Sequence, residues 1–451
     1  MKNRTTAQLY AMVFLLTGFL SIEAQIPGMP AMALKEAKNV FGGKNDDIAY
    51  SMVQTSDKGY IMTGGTASND GDVSGNHGRS DIWIVKLSES GALQWQKTLG
   101  GAGNDEAHSI AQTSDGGYAV AGSAYSNDGD VSGNHGGGDI WVVKISGAGV
   151  LQWQKTLGGT GNDDANSIVQ TSDGGYAVAG STYSNDGDIS GNHGSRDLWV
   201  VKLSGSGALQ WQKTLGGTGN DEGNSIARTS DGGYIVSGST RSNDGDVSGN
   251  HGGTDFWVVK ISGSGTIQWQ KTLGGTGIEY NRSIVQTSDG GYAVAGYTFS
   301  NDDDVSGNHG GGDMWVVKVS GAGVLQWQRT LGGSGIESGR SIVQTSDGGY
   351  VVTGYTESNN DDVSGNHGGG DIWVVKLNAT GVLQWQRTLG GTGSESTLSI
   401  VQTSDAGYAV AGFTNSNDGN VIGPANGLYD FLFLRLNAAG NGIHLYEDMP
   451  Q

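Results

Sequence analysis

Oxygen-bearing side chains recur at a fixed spacing in a polar segment of the chain. Asp128, Asp130, Ser132 and Asp139 occupy positions 1, 3, 5 and 12 of a stretch whose sixth residue is Gly133. Twelve-residue calcium loops have this spacing, because alternate side chains of a curled loop converge on one ion and glycine permits the sharp bend. Ca²⁺ takes six or more oxygen ligands, so the segment predicts a calcium site.

The same layout occurs in five further segments. The additional predicted ligands are Asp70, Asp72, Ser74 and Asp81; Asp186, Asp188, Ser190 and Asp197; Asp244, Asp246, Ser248 and Asp255; Asp302, Asp304, Ser306 and Asp313; and Asn360, Asp362, Ser364 and Asp371. In a seventh segment Ile422 replaces the serine and the spacing to Asp430 is one residue longer, so we expect no ion there. The alternative is ordinary turn chemistry, because Ser, Asn, Asp and Gly also dominate loops without metal.

Each of the six segments also carries one histidine. These are His77, His135, His193, His251, His309 and His367. One histidine per repeat should form a wide ring, too open for a shared transition-metal site with ligands about 2 Å from the ion. We expect each histidine to bond the backbone of its own turn, and the ring to offer a means of pH-dependent binding.

The segments belong to a long internal repeat. The phrase (Q/R)TSD-x-G-Y ends at Tyr60, Tyr118, Tyr176, Tyr234, Tyr292, Tyr350 and Tyr408, at intervals of 58 residues. This period suits one four-stranded sheet per copy. The sequence therefore predicts an all-β, seven-bladed β-propeller over residues 43–448, with four antiparallel strands per blade and repeats starting near 43, 101, 159, 217, 275, 333 and 391.

The third copy illustrates the expected blade. We predict an innermost strand over residues 167–171, then strands over 176–180, 198–203 and 208–215, with the acidic segment between the second and third strands. The turn before the second strand reads Asp173-Gly174-Gly175, and Lys58 and Ala406 replace the middle glycine in two copies. We therefore expect the third residue of this turn to adopt a positive φ.

The chain ends and the tryptophans also fit a closed ring. Residues 34–43 resemble the fourth-strand phrase LQWQKTLGG, so an N-terminal strand within residues 25–42 should complete the last blade. Two tryptophans fall in each of six copies: Trp83, Trp95, Trp141, Trp153, Trp199, Trp211, Trp257, Trp269, Trp315, Trp327, Trp373 and Trp385. Packing between blades is the favoured interpretation, and an aromatic platform for sugars is the alternative.

Charge and composition restrict the location and the partners. The net charge of −20 argues against nucleic acid and against anionic membranes. Residues 1–24 read as a signal peptide, with Lys2 and Arg4 before an apolar run and Ala24 at the cleavage point. The chain has no cysteine, and no later segment is apolar enough to cross a bilayer. We expect an exported protein in the periplasm, at the cell surface or outside the cell, without membrane insertion of the mature chain.

Several repeated phrases carry a resemblance. S-I-x-Q-T-S-D-G-G-Y-x-V-x-G, S-N-D-G-D-V-S-G-N-H-G and D-x-W-V-V-K-L…W-x-K-T-L-G-G resemble the bacterial secreted β-propeller repeat family. They are also similar to repeat regions of exported substrates of the type IX secretion route. The resemblance covers residues 43–436 and implies a propeller and export, but it implies no particular activity.

Repetition favours binding over catalysis. Near-identical copies place the same residues around an axis and give no evident unique acid–base pair. We expect a non-enzymatic binding or scaffold module with calcium-braced loops, whose partner is a glycan, a surface polymer or a protein. The alternatives are a carbohydrate-active lyase or hydrolase that uses the central channel, and a purely structural surface spacer. A unique site should be sought where copies five and six diverge, at residues 279–282 and 337–340.

Overall fold

The computed structural model describes residues 38–442, except Pro424 and Asn426. The chain divides into residues 1–35 and a compact unit of residues 36–451, to which all the described residues belong. The predicted signal peptide, residues 25–37 of the predicted closing segment and residues 443–448 lie outside the described part. Strands are the only regular secondary structure in that part.

The strands follow one another in a fixed order. The short β1 is Val40–Phe41. The first strands of the blades are β2 Asp47–Gln54, β6 Asp105–Gln112, β10 Asp163–Gln170, β14 Asp221–Arg228, β18 Glu279–Gln286, β22 Glu337–Gln344 and β26 Glu395–Gln402. The second strands are β3 Tyr60–Thr66, β7 Tyr118–Ala124, β11 Tyr176–Thr182, β15 Tyr234–Thr240, β19 Tyr292–Thr298, β23 Tyr350–Thr356 and β27 Tyr408–Thr414. The third strands are β4 Asp81–Leu87, β8 Asp139–Ile145, β12 Asp197–Leu203, β16 Asp255–Ile261, β20 Asp313–Val319, β24 Asp371–Leu377 and β28 Asp430–Leu436. The fourth strands are β5 Leu93–Leu99, β9 Leu151–Leu157, β13 Leu209–Leu215, β17 Ile267–Leu273, β21 Leu325–Leu331 and β25 Leu383–Leu389.

Seven antiparallel four-stranded sheets form a closed ring. Six blades use four consecutive strands, and the seventh has the order β1-β28-β27-β26, so the N-terminal strand supplies its outer edge. The first strands contact one another in sequence, and β2 also contacts β26. These contacts confirm the predicted seven-bladed propeller with an N-terminal closing strand.

A repeated hydrogen bond links each innermost strand to the next. The backbone N–H of Ile168 donates to Oγ of Ser109 in the preceding blade (3.1 Å), and five further blade pairs repeat the bond. At the seam, Met52 N–H donates to Oγ of Ser399 in the seventh blade (3.1 Å). The closing contact is therefore chemically the same as the other six.

Tryptophan fills the space between blades. The third-strand tryptophans, such as Trp199, are fully buried, and the Trp199 indole N–H donates to Oε1 of Gln212 (2.9 Å). Fourth-strand tryptophans are half-buried and meet the tyrosine of the next blade, as Trp153 meets Tyr176 with ring centroids 5.7 Å apart. Buried aromatic area of this size is a major stabilising contribution, which supports the packing interpretation.

Two local predictions were wrong. The positive φ of the turn before the second strand belongs to its middle residue: it is 79° at Gly174 and 64° at Lys58. The third residue, Gly175, is required because a Cβ there would overlap the carbonyl oxygen of Leu203. The innermost strand of the third blade also begins four residues earlier than expected, because a β-bulge interrupts its alternating pattern.

Candidate functional site

Two acidic loops of each blade junction meet on one face of the ring. The loop between the second and third strands of the third blade packs on the loop that leads into that blade. Asp186 Oδ1 accepts a hydrogen bond from the backbone N–H of Thr160 (2.8 Å). Both loops emerge at the same end of their strands, as the antiparallel order requires. The acidic residues of these two loops therefore gather on one face.

The four residues of one predicted calcium loop have separate partners. Asp186 binds the inter-blade loop that precedes its blade, and Asp188 Oδ2 lies 3.4 Å from a backbone N–H of that same loop. Ser190 Oγ accepts a hydrogen bond from the side-chain amide of Gln212 (2.9 Å). Asp197 is directed to the other side, toward the junction with the next blade. The loop thus distributes its oxygens over two junctions.

Position 12 of each loop places a carboxylate in a fully buried environment. Asp197 Oδ2 accepts hydrogen bonds from both the backbone N–H (2.9 Å) and the ring Nδ1 (2.7 Å) of His193. Its Oδ1 has no hydrogen-bond partner. The equivalent unpartnered oxygens belong to Asp81, Asp139, Asp255, Asp313 and Asp371. Burial raises the pKa of Asp197, and the neighbouring Asp221 raises it slightly further.

A second buried acid approaches the same point from the next blade. A Cβ on Gly216 would lie 2.8 Å from Oδ1 of Asp197 and 2.7 Å from Oδ2 of Asp221. Asp246, from position 3 of the next loop, lies 3.4 Å from the Gly216 N–H. Each junction therefore assembles acids of two successive repeats, a pairing that the spacing within one loop does not reveal. Within residues 38–442, however, no three His, Asp or Glu side chains form a group arranged to hold a metal ion.

The histidines bind carboxylates, contrary to the prediction that they bond turn backbone. All six place Nδ1 between 2.6 and 2.7 Å from the position-12 aspartate of their own loop. In two copies Nε2 also points toward position 3 of the next loop: His251 lies 3.9 Å from Asp304, and His309 lies 4.0 Å from Asp362. Nearby carboxylates, with Asp313 foremost, raise the pKa of His309 despite the opposing effect of burial.

A different site lies on the innermost strands, which line the central axis. Each of these strands has a β-bulge at its fourth residue, where one residue has no partner in the neighbouring strand. The bulged residues are Tyr50, His108, Asn166, Asn224, Arg282, Arg340 and Leu398. Five residue types occupy these seven equivalent places, whereas most of the surrounding frame repeats. This variation within a repeated frame was readable in the sequence, but only the arginines fell within the divergent segments that we noted.

Three of the bulged side chains bridge to the next blade. His108 Nδ1 donates to the carbonyl oxygen of Ala165 (2.9 Å), and Asn166 Nδ2 donates to that of Gly223 (2.8 Å). Asn224 continues the series with a 2.9 Å bond to the next innermost strand. The series stops at Arg282 and Arg340, which form no hydrogen bond or ion pair with any described residue.

Sequence comparison with known proteins finds a distant similarity. No family model matches the chain. The regulatory protein FlaEY of Caulobacter vibrioides is 25% identical in an alignment of 237 residues that covers 48% of this chain and 25% of that protein. This chain thus spans about a quarter of the length of that relative.

A solved structure supports the fold at low sequence identity. A crystal structure of puromycin hydrolase matches with a TM-score of 0.51 and 12% identity, over 93% of this chain and 58% of that one. The Pan2 WD40 domain of Neurospora crassa matches with a TM-score of 0.48 and 12% sequence identity, over 90% of this chain and 92% of that one. The class that fold and topology define is a seven-bladed β-propeller, an architecture used by both binding proteins and enzymes.

No helix in the described residues is long and apolar enough to span a membrane.

Proposed function

We propose that the protein is an exported, non-enzymatic binding or scaffold module with calcium-braced loops. The observation that carries the proposal is the repetition of one acidic junction, with a buried and unpartnered carboxylate oxygen, in six copies on one face. An unpaired buried carboxylate is costly, and a bound cation would offset that cost. Equivalent sites around a ring suit a repetitive partner such as a glycan, a surface polymer or a repeated protein motif.

Calcium is the cation that the donor set favours. Carboxylates and hydroxyls are hard oxygen ligands, and the chain offers no cysteine for softer metals. The acids at a junction come from different blades, as Asp197 and Asp221 do. An ion bound there would therefore also hold neighbouring blades together.

Thermal unfolding with calcium and with chelator, together with a metal count, tests the calcium proposal. Calcium that binds only the folded state must raise the melting temperature. Asp139→Asn should lower the calcium stoichiometry by one, because it replaces one junction carboxylate. Asp115→Asn is the matched control, since Asp115 pairs with Lys144 (3.0 Å) in another part of the blade. An unchanged melting curve with a stoichiometry near zero would exclude calcium.

Ligand arrays test the binding proposal separately. A polymer of repeated anionic or neutral sugars, or a protein with repeated motifs, should bind far more tightly than its single unit, by roughly 10²-fold or more. Equal affinity for polymer and unit would contradict multivalent binding. Turnover of any polysaccharide in the same panel would favour the enzyme instead.

Export is tested by the mature N-terminus. Cleavage after Ala24 would leave Gln25 as the first residue of the secreted chain. Mass spectrometry of the protein from the culture medium and cell fractions measures this directly, and an intact Met1 on all the protein would contradict it.

A further inference from the structure

Two arginines occupy neighbouring positions on the wall of the central channel. Arg282 and Arg340 are the bulged residues of β18 and β22, the innermost strands of adjacent blades. Both side chains are half-buried, and the Nε atom of each is buried without a hydrogen-bond partner. Two buried donors of this kind are costly to leave unsatisfied.

The charges of the pair are also uncompensated. Arg196, by contrast, pairs with Asp164 (3.3 Å) and Glu222 (2.6 Å). No described acid pairs with Arg282 or Arg340, although the chain carries 45 acidic residues against 25 lysines and arginines. Burial, and then repulsion from Arg282, lower the pKa of Arg340 to about 10. Two guanidinium groups held close together without an acidic partner indicate a binding site for an anion.

The surroundings add hydroxyl and aromatic groups. Tyr297 and Tyr355 lie close enough to Arg340 to influence its ionisation. Tyr297 also contacts Tyr280, with ring centroids 5.5 Å apart. The corresponding second-strand positions in the second, third and fourth blades are serines, so this aromatic wall is confined to part of the ring. Phenol hydroxyls and aromatic faces beside a guanidinium pair suit an oxyanion carried on a sugar ring.

We propose that the central channel binds an oxyanion, a carboxylate, sulfate or phosphate group, between the guanidinium groups of Arg282 and Arg340. A guanidinium presents planar N–H donors that match two oxygens of such a group, and the bound charge would offset the repulsion between the arginines. The site is independent of the junction calcium proposed above, because it uses cations of the channel wall and no junction carboxylate.

Calorimetric titration at low ionic strength, in buffer freed of divalent cations by a chelating resin, tests this site. The probes are inorganic sulfate, inorganic phosphate and glucuronate, followed by a polyuronate to distinguish a free anion from an acidic polymer. Arg282→Gln and Arg340→Gln should each weaken binding by about tenfold or more, since each removes one charge-assisted pair. The affinity of Arg340→Lys for the anion should lie between those of the wild-type protein and Arg340→Gln, because lysine keeps the positive charge but lacks the planar pair of N–H donors.

The control is Arg228→Gln, which also alters an innermost-strand arginine. Arg228 is exposed at the end of β14 and donates to the backbone of Gln170. Binding that this control leaves unchanged, together with the losses above, supports the site. Equal weakening in the control, or no binding of any probe to the wild-type protein up to about 20 mM, overturns it. A second readout is stability without anion: Arg340→Gln should raise the melting temperature, and a lower value would reveal a stabilising partner and contradict the proposal.

Discussion

The junction acids and the channel wall are built on the same blades but use repetition differently. At the junctions one arrangement recurs around the ring, with a buried acid pair and, in six copies, a histidine on the outer carboxylate. On the channel wall the bulged residue changes type from tyrosine to histidine, asparagine, arginine and leucine. The frame that holds these residues, a bulge in each innermost strand, does not change.

This difference distinguishes the junction acids, which hold the blades together, from the bulged residues of the channel wall, which can recognise a particular ligand. A junction acid accepts bonds from backbone and hydroxyl groups, so changing it in one blade would break a contact that all blades need. A bulged residue has no cross-strand partner, so its side chain is free to vary without loss of the sheet. The junctions are therefore suited to stability and multivalency, and the channel wall to a single asymmetric site.

The largest expected effect is on a junction acid. Asp163 accepts hydrogen bonds from Gly159 N–H (2.8 Å), Ser184 Oγ (2.9 Å) and Thr182 Oγ1 (2.5 Å). Asp163→Ala should lower the free energy of unfolding by about 3 kcal/mol, because these buried donors lose their acceptor. Urea unfolding followed by tryptophan fluorescence measures it.

The same change in the next blade tests equivalence. Asp221→Ala should cost the same within roughly 0.5–1 kcal/mol, because Asp221 makes the corresponding contacts. Asp163→Asn is the milder control, since it keeps one acceptor oxygen. A cost below about 1 kcal/mol for either alanine variant would show that the junctions are not the stabilising element.

A smaller effect of opposite sign is expected for the outer acid of the pair. Burial raises the pKa of Asp139, so its stabilising contribution is complete below the unfolded pKa of about 3.9 and is lost as the pH rises through the folded pKa. Asp139→Asn lacks this loss. In EDTA, the free energy of unfolding of the variant relative to that of the wild-type protein should therefore increase as the pH rises from 3 to 7, by on the order of 1–2 kcal/mol.

Melting curves of the two proteins across that pH range measure the relative stability of Asp139→Asn, and the same curves with calcium provide a second test. If calcium binds the junction, adding it should reverse the order of the two proteins at pH 7. A variant that is less stable than wild type at pH 7 in EDTA would mean that the unpartnered Oδ1 of Asp139 is stabilised in another way.

The smallest effect is expected on the channel wall. Asn166→Ala removes one hydrogen bond, to the carbonyl oxygen of Gly223 (2.8 Å), from a half-buried position. It should cost about 1 kcal/mol or less. Leu398→Ala, at the equivalent bulge of the seventh blade, controls for the loss of side-chain volume. A cost of about 3 kcal/mol for Asn166→Ala in urea unfolding would place the wall among the structural elements and remove the contrast with the junctions.

Much of the architecture was predictable because the sequence repeats at a fixed interval of 58 residues. The recurring tyrosines predicted the number of blades, and the phrase near the N-terminus predicted the closing strand, which is now β1. The start of the innermost strand was missed because the bulge at Asn166 breaks the alternation of buried and exposed residues. The turn at Gly174 and Gly175 was misread because two reasons for glycine, a positive φ and a close backbone approach, look the same in a sequence.

The sequence by itself determined the blade count, the antiparallel strands, the tryptophan packing and the collection of acids on one face, because each follows from local pattern and its repetition. Only the tertiary structure decided which acids meet. Asp197 belongs to one blade and Asp221 to the next, and the packing of these two blades brings them together beside Gly216. It likewise brought Arg282 and Arg340 to adjacent places on the axis. The two aspartates are 24 positions apart in the chain and the two arginines 58. Both pairs become neighbours only when successive blades pack side by side, and no local pattern encodes that contact.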